Sequence, residues 1–311
     1  MLDHRQGGMR MEQRAEIARY RQAAAFLPVR LRRLAETLPP EEQAEAEELR
    51  LRAGRPMTVL LPDGEVCPWR AEPPVEPEEL ETLCDLGTEF SRYAAAETLR
   101  AGFLPVRGGF RIGFCGTAVM KNGVCTNLTD LSSANVRIGR EKRGVAAELA
   151  RRLLADGGPE STLLLSPPGG GKTTLLRDLI RCLSEEGFRV GLADERGELA
   201  VCYRGRPQMD VGPCTDVLDA CPKAAAIPML VRTMNPQIVA ADEITAEEDI
   251  RAAVMAAGCG VRLLATVHAA DVQELRQKPL YVRLLETRVF RYAVCIRRTA
   301  EGRAYGLEEL P

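Results

Sequence analysis

No CxxC pair occurs in the 311 residues, and histidine is nearly absent, with only His4 and His268. The spacings that hold a structural zinc are therefore missing. The ten cysteines are scattered from Cys67 to Cys295, and without a secretory signal they read as reduced thiols rather than a disulfide framework. Apolar runs are short: 224–231 and 252–259 fall far below the roughly 20 residues of a membrane span. The N-terminus carries Asp3, His4, Arg5 and Arg10 in place of a signal-peptide core. Neither sign of charge dominates, with 42 Lys+Arg against 44 Asp+Glu, so neutralising a phosphate backbone is not the chain's main work. Aromatic content of 5% also leaves few platforms for stacking bases. Neither stable nucleic-acid binding nor direct membrane insertion is expected.

What is present divides into two styles. Residues 1–16 read as a polar, flexible leader, and 17–139 as a small α+β domain. Within that domain Leu27, Leu31, Leu34 and Leu38 mark one face of a helix, and the neighbouring Arg30, Arg32 and Arg33 allow either a membrane-surface face or, as the simpler reading, one packed on its own domain. Residues 48–52 alternate as a strand and 56–61 as its partner; a helix follows around 78–84. Glycines within 103–115 suggest a hairpin, and 136–138 a last strand. Residues 140–160 read as a linker and helix. From 161 to 311 four apolar runs, at 162–165, 188–193, 237–241 and 261–267, alternate with helical stretches at 172–183, 222–234 and 246–257. Short, near-continuous apolar strands between helices predict a parallel sheet covered on both faces, an α/β fold.

Ser166-Pro167-Pro168-Gly169-Gly170-Gly171-Lys172-Thr173-Thr174 follows the first of these strands and opens a helix. Glycines there let backbone N–H groups converge on phosphates, Lys172 reaches the β- and γ-phosphates, and Thr173 is placed to ligate Mg²⁺. Pro168 to Thr174 is thus the expected ATP-binding loop, with Ser166 where the generic pattern starts on Gly. Residues 238–243 (Ile-Val-Ala-Ala-Asp-Glu) end an apolar strand on two acids. Asp242 is expected to hold Mg²⁺, partly through water, and Glu243 to activate the attacking water. His268 closes the strand 261–267 at the sheet edge where α/β folds bind ligands, positioned to sense the γ-phosphate or to serve structurally. Asp194-Glu195-Arg196-Gly197-Glu198 ends another strand, so Glu195 and Glu198 are candidates for the same chemistry, a solvated acidic loop being the other reading. No arginine of this second domain stands out beside Glu243. Arg137 and Arg140, near the end of the first domain, are candidates for an arginine supplied across a subunit interface, salt bridges within the first domain being the other reading.

Together these residues resemble type II and type IV secretion ATPases. Asp194-Glu195-x-x-Glu198 is similar to their acidic box with the first two acids exchanged, and Thr266-Val267-His268 to their histidine box. Arg232, Pro236 and Glu243 are similar to their Walker B region, which often carries Gly where this chain has Asp242. The stage III sporulation protein AA family resembles the chain more fully over about residues 27–300. Its look is carried by 48–56 (ELRLRAGRP), SPPGGGKTTLLRDL, ADERGELA, 210–224 (DVGPCTDVLDACPKA), 241–244 (ADEI) and ATVHA. Thr245-Ala246 departs from the Gly-Arg expected after the Walker B acids. The resemblance implies a RecA-like P-loop NTPase domain preceded by the smaller α+β domain, a Mg-dependent ATPase, a homo-hexameric ring and membrane-anchored sporulation channel proteins as partners. It also implies a cytoplasmic place, peripheral to the membrane on the mother-cell side of the forespore, with a role in energising assembly or transport through a secretion-like channel. The rival from the residues is a nucleic-acid-dependent ATPase, helicase- or packaging-like. A nucleic-acid module found in plastid and cyanobacterial relatives has no room before Pro311. A non-hydrolysing scaffold is a third reading, which the intact Lys172, Asp242 and Glu243 oppose.

Overall fold

The computed structural model describes residues 2–92, 96–100, 102–121, 123–155, 158–299 and 302–310. The chain divides into two compact units, Met1–Arg140 and Glu141–Pro311. Among the described residues no helix is long and apolar enough to cross a membrane.

The first unit opens on helix where a flexible leader is expected: α1 spans Leu2–Ala24, and its last turns bury Tyr20, Ala23 and Ala24. That burial supplies the tertiary support a lone polar helix lacks. Next come α2 (Val29–Glu36) and α3 (Pro40–Glu45), then β1 (Glu48–Arg52), β2 (Thr58–Leu61) and β3 (Gly64–Val66), α4 (Pro77–Gly87), α5 (Ala96–Arg100), β4 (Phe103–Val106), β5 (Phe110–Lys121) and β6 (Val124–Arg137). The strands form one antiparallel sheet in the order β3-β2-β1-β6-β5-β4. Leu27, Leu31 and Leu38 are buried with Leu49, Leu51 and Val136 in one core, so this leucine stripe packs on its own unit and is not a free membrane face. The glycine-punctuated hairpin is present as β4–β5, but β5 continues and β6 runs 14 residues where only 136–138 is expected. The missing length is largely exposed and mixes polar residues with exposed Val119, Met120 and Val124, so no regular apolar alternation marks it.

The second unit contains α6 (Ala147–Leu154), β7 (Thr162–Leu165), α7 (Lys172–Glu185), β8 (Val190–Asp194), β9 (Thr215–Asp219), α8 (Lys223–Met234), β10 (Ile238–Ala241), α9 (Glu247–Gly258), β11 (Arg262–Val267), α10 (Val272–Leu275), α11 (Pro279–Glu286), β12 (Tyr292–Thr299) and β13 (Gly302–Glu309). Its sheet runs β13-β12-β7-β11-β10-β8-β9 and is parallel except where β13 folds back antiparallel on β12. The α6 helix, expected in a linker, belongs to this unit. Buried Asp178 of α7 accepts the Ala146 N–H at 2.7 Å, and Leu149, Ala150 and Leu153 share a core with Leu175, Leu176, Leu179 and Leu183.

Strand residues alternate between two cores. Leu163, Leu165, Val239, Ala241, Leu263 and Ala265 pack toward Ile227, Leu230, Ile250 and Leu284; Leu164, Ile238, Ala240 and Leu264 pack toward α6 and α7. Two helical layers sandwiching a parallel sheet follow directly from runs that are apolar on both faces. Leu176, fully buried at the centre of the α7 stripe, sets a measurable expectation. Leu176→Ala should lower unfolding free energy by about 2–5 kcal/mol through lost burial and a residual cavity, read by urea denaturation. A loss under about 0.5 kcal/mol, the range of surface changes, would contradict that packing.

Candidate functional site

The order of the central strands brings the chemistry together. β11 lies between β7, which leads into the glycine-rich loop, and β10, which ends in the two acids. Leu165 pairs with Val267, and Ala241 with both Ala265 and Ala193. One step past these pairs, Ser166, Asp242, Thr266, His268 and Asp194 therefore gather at the carboxyl edge of a single sheet, the edge where open α/β sheets take ligands.

The loop is shaped by its glycines. Gly169 and Gly171 have φ of +71° and +98°, values that L side chains rarely adopt. At Gly170 space decides: an added Cβ would come 1.9 Å from the Ser166 Oγ. Ser166 is fully buried and donates to the Pro167 carbonyl at 2.8 Å, so the serine start and the central glycine are coupled. Beyond the loop, Lys172 opens α7, whose first N–H groups face the loop.

Lys172 is almost fully buried. Its ammonium donates to the carbonyls of Ser166 (2.8 Å) and Pro167 (3.2 Å) and lies 2.8 Å from the His268 Nδ1. Burial pushes this ammonium below the usual lysine range, and the charges of Asp242 and Glu243 oppose that push. Thr173 donates to one oxygen of Asp242 at 3.0 Å and Thr266 to the other at 2.6 Å. Thr266 also accepts the Glu243 N–H at 2.9 Å. A hydroxyl and a carboxylate side by side are the oxygen donors a magnesium ion takes, with phosphate and water completing the shell. Among the described residues no cluster of three or more His, Cys, Asp or Glu could hold a metal without such help.

Glu243 occupies a left-handed backbone position, φ +43°, which costs about 1–3 kcal/mol in a non-glycine residue and persists where the surroundings enforce it. Its carboxylate is held on both oxygens, 2.5 Å from the His268 Nε2 and 2.8 Å from an Arg196 Nη1. The imidazole is then read as neutral, accepting from Lys172 on Nδ1 and donating to Glu243 on Nε2, since a proton on Nδ1 would face the ammonium. Arg196 overturns the expectation that this domain offers no arginine beside Glu243. The pair joins residues 47 positions apart, at the ends of neighbouring strands β8 and β10, so no local motif announces it.

The acidic box divides. Asp194, buried, accepts the backbone N–H groups of Glu198, Leu199 and Ala200 and so fixes the loop after β8. Glu195 pairs with buried Lys223, whose hydrogen bond holds the Glu195 carboxyl below the usual range. Glu198 is exposed. In the first unit, Arg140 lies 3.2 Å from Glu16 and donates to the Ala46 carbonyl at 2.7 Å, while Arg137 is exposed near the end of β6.

Comparison with known proteins agrees with this architecture. The family model described as sporulation stage III, protein AA matches residues 17–309. The stage III sporulation protein AA of Bacillus subtilis (strain 168) is 36% identical over 286 residues, covering 90% of this chain and 92% of that protein. Among solved structures, the fold is shared with the Legionella pneumophila ATPase DotB (TM-score 0.55, 17% identity, 85% of this chain and 76% of that one). It is shared also with the pilus retraction motor PilT (TM-score 0.58, 16% identity, 86% and 80%).

Proposed function

The chain belongs to the stage III sporulation protein AA family, and we propose that it is a magnesium-dependent ATPase that drives assembly or transport through a channel during endospore formation. The observation that carries this reading is the joining, at one sheet edge, of the glycine loop with Lys172 to the Thr173–Asp242–Thr266–Glu243–His268 cluster. Backbone N–H groups from Gly169 to Thr174 receive the phosphates at the positive end of α7. Lys172 exchanges two loop carbonyls for phosphate oxygens, a stronger set of acceptors for an ammonium. Thr173 and Asp242 hold the magnesium ion, which neutralises charge on the phosphates. Glu243 accepts the proton of the water that attacks the γ-phosphorus as the bond to the departing ADP oxygen breaks. His268, touching both Lys172 and Glu243, reports to one whether the other is engaged. On this reading the active species is a homo-hexamer that meets membrane-anchored partners from the cytoplasmic side.

The test is binding and turnover with Lys172→Ala. Removing a charged donor to phosphate should weaken ATP binding by about 10–100-fold by calorimetry and eliminate turnover. Parental turnover should be unchanged by added DNA. Parent-like ATP binding by the variant would defeat the assignment of the loop, and strong stimulation by DNA would favour a nucleic-acid motor.

A further inference from the structure

The geometry points to Arg303 as a second cationic contact for the phosphates of the bound nucleotide, supplied by the same chain from its C-terminal hairpin; this rests on the nucleotide-site reading above. The hairpin of β12 and β13 is the antiparallel edge of the sheet and its pairing with β7 sets it beside the strand that feeds the loop. Arg303 stands at the start of β13 and its guanidinium lies against Gly171. A Cβ added at Gly171 would meet the Arg303 Cζ at 2.8 Å, Nε at 3.0 Å and Nη1 at 3.1 Å. Glycine at 171 thus serves two needs, the left-handed backbone before α7 and room for an arginine at the mouth of the loop.

The Arg303 Nε is withdrawn from water without a hydrogen-bond partner, and among the described residues no carboxylate pairs with the guanidinium. A buried donor left unmade costs free energy that a ligand acceptor would recover. The strand register adds an independent observation. Arg298 of β12 pairs directly with Arg303, so both stand on one face of the hairpin. Like charges opposite one another destabilise a sheet. A polyphosphate lying along the loop would offset both penalties. The planar fork of an arginine suits phosphate oxygens, and Lys172 approaches the same ligand from within the loop.

The test is calorimetry of the full chain with ADP and with ATPγS, comparing the parent with Arg303→Gln and Arg303→Lys. Glutamine keeps much of the stem and removes the charge, and should weaken both nucleotides about tenfold or more, by an amount that shrinks as salt rises. Lysine restores the charge without the fork and should fall between the two. If Arg303→Gln binds both nucleotides as the parent does while Lys172→Ala is weakened, Arg303 has no such role and the nucleotide site stands. If the parent binds neither nucleotide, the nucleotide site and Arg303's part in it both fall. Should the glutamine variant fail to fold by circular dichroism, Arg303→Lys decides: affinity equal to the parent's overturns the claim, and a salt-sensitive loss supports it.

Discussion

Glu243→Gln is expected to retain ATP and to lose hydrolysis by about 10²–10⁴-fold, the contribution of a positioned general base. The amide has the volume of the carboxylate and its one oxygen can keep one of the two partners, His268 Nε2 or Arg196, while the Glu243 N–H bond to Thr266 belongs to the main chain and is undisturbed. What it cannot do is take a proton from water. The structure adds a requirement to this expectation. Each carboxylate oxygen carries one partner and keeps a second lone pair for water, but a proton taken by Glu243 would sit beside the Arg196 guanidinium, so binding of nucleotide is expected to loosen one of these partners. Lys172 is the natural trigger, because leaving His268 for phosphate removes the cation that orients the imidazole. Arg196→Ala should then raise rather than abolish basal turnover, if its ion pair restrains the base. The decisive measurement is single-turnover hydrolysis beside equilibrium ATP binding. Parental turnover by Glu243→Gln would move the base elsewhere in the site.

The parts of this arrangement that are local in the chain were readable from it. A loop of three glycines before Lys172 is contiguous, and strands β7, β10 and β11 are nearly unbroken apolar runs, since each is covered on both faces. The parts made by tertiary closure were not. Edge strand β9 is short and only half-buried, with Asp216 and Asp219 among its five residues, so it carries no apolar signature. Strand β13, which delivers Arg303, alternates small Gly302, Ala304 and Gly306 with half-buried Arg303, Tyr305 and Leu307 on an edge of the sheet, so it carries no continuous apolar run. Thr266 is legible in the sequence as part of the Thr266-Val267-His268 resemblance but not by role; its place between Asp242 and the Glu243 N–H depends on β11 lying next to β10. Glu195 carries the opposite lesson. An acid at the end of β8 reads as catalytic by position, yet buried Lys223 at the start of α8 pairs with it. A spacing pattern reports which residues reach the sheet edge, and the partners present there decide what each is free to do.

Mixing two inactive variants should restore activity if an arginine acts across a subunit interface. Phosphoryl transfer spreads negative charge over the transferring group, and an arginine aimed at it contributes about 10³–10⁵-fold. Arg196 is a poor candidate for that task while it is bound to Glu243, and Arg303 lies at the loop rather than at the attacking water. Arg137 and Arg140 remain the proposed donors. They differ in freedom, since Arg140 is committed to Glu16 and the Ala46 carbonyl, whereas Arg137 is exposed. Arg137→Ala is therefore the milder change to the fold, and Arg137→Ala/Arg140→Ala the complete one. Either set is combined with Lys172→Ala chains, which keep the arginines and lack the loop cation. In a ring of heterologous interfaces assembled at random from equal amounts, about a quarter of the sites join an intact loop to an intact donor. Turnover in verified mixed rings should then approach about that fraction of the parent's, from two components that are each inactive. A single subunit that supplied its own arginine would show no recovery, because every chain carrying an intact loop would lack the donor. Full activity of the double arginine variant alone would likewise exclude both residues, and the search would return to Arg196.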